Sequence, residues 1–163
     1  MSDANALIEA YAESHQNPTN KLIHWICVPV IMWTTVGLLW AIPHDYFGVG
    51  PGTAWMNWGS IGVALSLLFY FRMSVTVGVG MSVVGTALLA LSYFVELLVP
   101  VALWKVCLVV FVLAWILQFV GHKIEGKKPS FLQDVFFLLV GPAWILHFVY
   151  GRMGIPFAPE PGA

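Results

Sequence analysis

The chain has 163 residues and a formal net charge of −1, with 60% hydrophobic, 15% aromatic and only 9% charged residues, against roughly 25% charged in an average soluble domain. Seven basic and eight acidic side chains with five histidines cannot cover a small domain in water without large apolar patches, so the composition excludes an ordinary soluble fold and points to lipid. Scattered lysines and a near-neutral charge exclude nucleic-acid binding, and two cysteines inside apolar runs, Cys27 and Cys107, exclude a disulfide scaffold.

In chain order, residues 3–16 read as a short amphipathic segment whose acidic residues stand where a signal peptide needs a basic region. Next comes HQNPTNKLIH, in which Asn17 is placed to cap a helix whose first position is Pro18. Crossing about 30 Å of hydrocarbon takes roughly 20 apolar residues. The charge-poor stretches 22–42, 54–71, 74–98 and 101–120 meet that need as four transmembrane helices. A fifth stretch, 131–150, carries Gly141-Pro142 at its centre, where proline removes a helical hydrogen bond, so it reads either as a kinked span or as a re-entrant pair of half-helices. The expected fold is therefore all-α, a polytopic membrane helix bundle of one domain spanning 1–163, with a disordered proline-rich tail from about 156 to 163. Ser82, Thr86 and Ala90, four apart, suit close helix packing.

Positive charge orients the bundle. With the N-terminus cytoplasmic, Lys21, Arg72, Lys123, Lys127 and Lys128 fall inside and only Lys105 outside, while Trp40, Tyr46, Trp55, Trp58 and Trp104 form an aromatic belt at the outer interface. The membrane is the plasma membrane in a bacterium and the endoplasmic reticulum in a eukaryote.

Ionisable groups at membrane depth are costly and each one needs a reason. His15 and His24 lie at the inner start of the first span and His122 at the inner end of the fourth. His44 falls across the bilayer from them, about 30 Å from His24, and is excluded from a shared site. The chain break at Pro18 lets His15 fold back toward His24. Asn20, four residues before His24, shares its face and is placed to orient the imidazole, and Pro29 frees the carbonyl of residue 25 one turn deeper. His122 and Glu125 are three apart on one face, with Gly121 allowing close approach and Gly126 able to end the helix; the carboxylate is a candidate ligand or a partner that fixes the imidazole. If the fifth segment is re-entrant, His147 joins the same face as a fourth candidate ligand. Imidazoles with a carboxylate and no thiolate suit iron, zinc or copper. A haem-binding electron carrier with paired histidines, and a non-enzymatic scaffold, are the competing classes. No nucleophile elbow or phosphate loop is present.

Two stretches, EAYAESHQNPTNKLIHWICVP over residues 9–29 and LQFVGHKIEGKKPSFLQD over 117–134, resemble the small membrane-embedded 2-hydroxy fatty acid dioxygenases of fatty acid α-oxidation. The resemblance implies an Fe(2+)-dependent enzyme that uses dioxygen to convert a long-chain 2-hydroxy fatty acid, its lipid substrate, to the acid one carbon shorter and carbon dioxide. It assigns metal binding to His15, His24 and His122, a catalytic role to Asn20 and Glu125, and a structural role to Pro29 and Pro129. Near the end of the last helix the family often carries an acidic residue where this chain has Ile145-Leu146-His147-Phe148, which makes His147 the candidate replacement for that ligand.

Overall fold

A computed structural model describes residues 4–43, 55–127 and 137–157. Among these residues the chain forms six α-helices and no strand: α1 (Ala4–Ala12), α2 (Pro18–Trp40), α3 (Trp58–Met73), α4 (Val75–Leu98), α5 (Leu103–Glu125) and α6 (Phe137–Met153). The first helix lies within the expected amphipathic segment. Asn17 caps α2 with Pro18 in its first turn, its side chain accepting from the backbone N–H groups of Thr19 and Asn20. This is the helix start that the Asn-Pro pair predicts.

Helix α2 is the central post. Helix α5 packs along it in the opposite direction, and Gly37 is what lets them touch: a Cβ at that position would lie 2.5 Å from the Cys107 sulfur and 3.6 Å from Ser92 Oγ. Three helices therefore close together at this far end, where Trp40, Leu103 and Cys107 form a small core. Asn57 caps α3 through Ser60 N–H, and Gly59 nestles against the Val36 carbonyl and Trp40. The chain then runs back to Tyr70. Ser74 both ends α3 and caps α4, accepting from Val77 N–H at 3.0 Å, so the two helices turn about one residue. Helix α5 ends at Gly126, which takes φ 75° and donates its N–H to His122 O; left-handed φ of this kind favours glycine.

Helices α2, α4 and α5 are long and apolar enough to cross a membrane. Helix α3, expected as a fourth full span, has 16 residues and is about 24 Å long. Its Asn57 and Ser74 caps fix both ends and hold it below that length. Large apolar side chains such as Leu65, Val83, Leu98 and Val109 point outward from the bundle, as lipid-facing surfaces do.

The fifth segment lacks the break expected at Gly141-Pro142. Helix α6 is continuous through Gly141-Pro142 rather than split into half-helices. Its partners all belong to the end of the bundle where α2 begins and α3 stops. Tyr70 donates to Leu139 O, Tyr150 to Thr76 O, and the Ser74 hydroxyl to Phe157 O. The described part of the segment, 17 residues, is thus held at that end of the bundle and is shorter than the roughly 20 residues of a full span, while residues 131–136 lie outside the described set. The helix tolerates the proline because it is sheltered: Val140, Gly141, Pro142, Ala143 and Trp144 are all buried in the larger core, against Tyr11, Tyr70 and Val77. Phe157, at the start of the expected tail, is packed there too, and residues 158–163 lie outside the described set.

The far-end contact yields a stability test. Gly37→Ala is expected to lower stability by about 1–3 kcal/mol through overpacking, read as a fall in Tm in detergent. Adding Cys107→Ala should restore most of the loss; a single variant as stable as the parent would contradict the tight α2–α5 contact.

Candidate metal centre

Two turns of chain build the site. After α1, Glu13 N–H reaches Glu9 O and His15 N–H reaches Ala12 O at 2.9 Å, so the chain coils on for one further turn before Asn17 starts α2. This swings His15 back over the start of α2. Nearly two helical turns into α2 stands His24, and the last turn of α5 brings His122. The three rings share one space: centroids lie 4.2 Å apart for His15 and His24, 5.1 Å for His15 and His122, and 4.9 Å for His24 and His122. All three are buried.

The hydrogen bonds dispose two of these rings for metal. His15 Nδ1 lies 2.6 Å from Tyr11 O, and His24 Nδ1 lies 2.9 Å from Asn20 O. A carbonyl only accepts, so each Nδ1 carries the proton and each Nε2 keeps its lone pair. His15 Nε2 and His122 Nδ1 are buried with no hydrogen-bond partner among the described residues. Burial holds His15 well below its ordinary pKa, to about 4, which keeps the ring neutral at neutral pH. One ligand nitrogen from each histidine lies within 4.8 Å of the others. A single ion bonded at about 2.1 Å satisfies these orphaned nitrogens with small ring shifts. The three buried histidines can thus hold a metal ion.

Glu125 closes the site from outside. Its Oε1 accepts from Gln16 N–H at 2.9 Å, and its Oε2 accepts from Asn17 N–H at 2.9 Å and from the Asn20 amide at 3.0 Å. Asn20 also donates to Ser14 O, and a Cβ at Gly121 would lie 2.4 Å from its Oδ1, so glycine is required for this approach. Glu125 therefore clasps the α1–α2 turn to the end of α5. Spacing along α5 suggested a partnership with His122, whereas its hydrogen bonds go to the turn that carries His15. Likewise, it is the Asn20 backbone carbonyl that orients His24, and its side chain serves the clasp.

His147 is not brought into the cluster. Its ring packs 5.0 Å from Phe157. His44 and Pro129 lie outside the described residues. A haem between two histidines needs a flat slot, but here the third imidazole packs against both of the others.

Sequence reading passed over three neighbours. Tyr11 stacks on His15 at 4.2 Å with planes 13° apart, and Trp144 from α6 lies 5.5 Å from His15. Gln118, buried one turn before His122, makes no hydrogen bond among the described residues. Tyr11 and Gln118 each precede a site histidine by four residues, the spacing that puts side chains on one helical face, and that was the available signal. Trp144 had none, because α6 is distant in sequence. All three imidazoles, with Tyr11 and Gln118, border a cavity of about 570 Å³ that extends between the helices as far as Leu39.

A helical membrane bundle with a buried three-histidine cluster opening on an apolar cavity is thus the class of protein defined. The family described as 2-hydroxy-palmitic acid dioxygenase Mpo1-like matches residues 1–153, and the chain belongs to it. The 2-hydroxy-palmitic acid dioxygenase MPO1 of Saccharomyces cerevisiae (strain ATCC 204508 / S288c) is 27% identical, over 94% of this chain and 83% of its own length. No solved structure matches the chain.

Glu125→Ala strips acceptors from the turn without touching an imidazole. It is expected to weaken metal binding by about 10- to 100-fold, as loss of an outer-shell support does, measured by competition with a chelator. Unchanged affinity would deny Glu125 its positioning role.

Proposed function

We propose that the protein is an Fe(2+)-dependent dioxygenase that oxidatively decarboxylates long-chain 2-hydroxy fatty acids. The observation that carries this reading is the juxtaposition of three buried imidazoles, two of them with an unpartnered nitrogen, with one end of a long apolar cavity in one bundle. Membership of a family described as dioxygenases of a 2-hydroxy fatty acid supports it.

The overall reaction balances without a further reductant. A 2-hydroxy acid and dioxygen give the acid one carbon shorter, carbon dioxide and water, with all four electrons reaching dioxygen drawn from the substrate. Iron held by the histidines would supply a place where the 2-hydroxy acid and dioxygen meet and exchange those electrons, and three protein ligands leave positions open for both.

The chain's own residues do the rest. His15, His24 and His122 serve as metal ligands, with Asn20 and Glu125 acting as positioning residues through the clasp. Tyr11 fixes His15 by accepting its Nδ1 proton in a hydrogen bond and by stacking on its face. Burial pushes the Tyr11 phenol up from its usual pKa, so it stays a hydrogen-bond donor beside the cavity. Trp144 and its buried neighbours on α6 shield the cluster from water on one side. Lys21 and Lys123 stand on the same end of the bundle and favour arrival of a carboxylate headgroup there. Their position, with Arg72 and Lys127, supports a cytoplasmic N-terminus.

His24→Ala and His122→Ala are each expected to abolish turnover of a 2-hydroxy fatty acid and to lower bound iron several-fold, while His147→Ala retains both. Assay by product chromatography and metal analysis decides it: full activity in His122→Ala would remove the proposed centre.

A further inference from the structure

The cavity has a shape that the reaction alone does not demand. Helices α4 and α5 touch at the far end, where Cys107 and Ser92 meet Gly37, and separate toward the histidines, leaving a cleft between them. Beyond Leu39 the helices close on the small packed core of Trp40, Leu103 and Cys107. At the other end lies Gln118, 6% exposed, an unpartnered polar group facing an otherwise apolar channel. The cleft thus has a buried polar end, apolar walls that reach the bundle surface at Thr35, and a packed core beyond Leu39.

Its length is set by α2. Leu39, which borders the far end, lies fifteen residues beyond His24, about 22 Å at 1.5 Å per residue. An extended hydrocarbon advances about 1.25 Å per bond, the C–C length projected on its zigzag. The cleft therefore takes a chain of up to about 18 carbons when the carboxyl end sits at the histidines.

Small side chains hold the middle of this channel open. Thr35 of α2 and Ser66 of α3 border it, and each hydroxyl is already bonded to its own helix, Thr35 to Ile31 O at 2.7 Å and Ser66 to Val63 O at 2.8 Å. Neither hydroxyl needs a ligand. What each contributes at that position is absence of bulk, about 16 Å from His24 in the case of Thr35.

We infer that the cleft is a chain-length gauge for the acyl tail, in which Thr35 and Ser66 leave the passage open and the closed end beyond Leu39 and Leu88 sets the longest substrate. This rests on the proposed reading of the protein as a 2-hydroxy fatty acid dioxygenase. The tail comes from a lipid or detergent phase that is as apolar as the cleft, so selection works by steric fit rather than by transfer from water.

The test compares 2-hydroxy acids of roughly 10 to 24 carbons, a range that runs past the length of the cleft, on the iron-loaded, full-length protein. Ser66→Phe and Thr35→Leu, on different helices, are each expected to lower kcat/KM for the longest acids by about tenfold or more while leaving the shortest ones within about twofold, with iron content unchanged. Leu88→Ala should extend acceptance to longer acids. A loss that is equal at every chain length, or a length profile unmoved in the variants that keep their iron, overturns the gauge. Displacement of a fluorescent fatty acid by the same series reads the gauge without turnover. If the parent protein binds acids with this length cut-off but oxidises none of them, the reaction fails and the gauge stands; if displacement shows no cut-off, the gauge fails whatever the reaction.

Discussion

Three imidazole rings buried side by side, two of them with a nitrogen that no group among the described residues satisfies, impose the constraint on which the rest of this structure depends. A buried polar nitrogen without a partner costs free energy that apolar contacts nearby do not return. The chain nevertheless holds His15, His24 and His122 together from three separate places, and it uses backbone carbonyls to fix the tautomers of two of them. The remaining polar groups at this end serve the same purpose. Glu125 ties the turn that carries His15 to the helix that carries His122, and Gly121 removes the side chain that would keep Asn20 away. A bound cation explains this arrangement as a whole, because it partners the orphaned nitrogens of His15 and His122 and lies within reach of His24 at once.

The cavity follows from the same architecture. Helix α2 packs closely on α5 along one side and on α3 and α4 along the other, and α4 and α5 come together near Ser92 and Cys107. Space is left between them that begins at the histidines and runs into the apolar interior. A membrane protein of this size can therefore hold a lipid tail within its own helices, with the polar head at the cluster and no separate binding domain.

Much of this was legible in the sequence because it is local. The Asn17-Pro18 start of α2, the Gly126 stop of α5, and the gathering of His15, His24 and His122 at one end all follow from capping chemistry and from counting residues along helices. What was not legible depends on contacts between distant segments. Glu125 lies three residues from His122, which suggested a pair, yet its partners are more than a hundred residues away. Helix α6 looked like a broken span because Gly141-Pro142 is a breaker in isolation; burial against Tyr11 and Tyr70 keeps it helical and holds it at one end. His147 had no way of declaring from sequence that it would face Phe157 and not the cluster. Residue 54 looked like the start of a span on hydropathy, which carries no information on where Asn57 would cap the helix.

The most direct measurement of the central claim is the metal content of the detergent-purified protein together with its visible absorption spectrum. The account predicts close to one iron per chain with no Soret band. A Soret band would replace the three-histidine centre with a haem, and a protein that takes up no metal even after anaerobic reconstitution with Fe(2+) would reduce these histidines to packing and contradict the account.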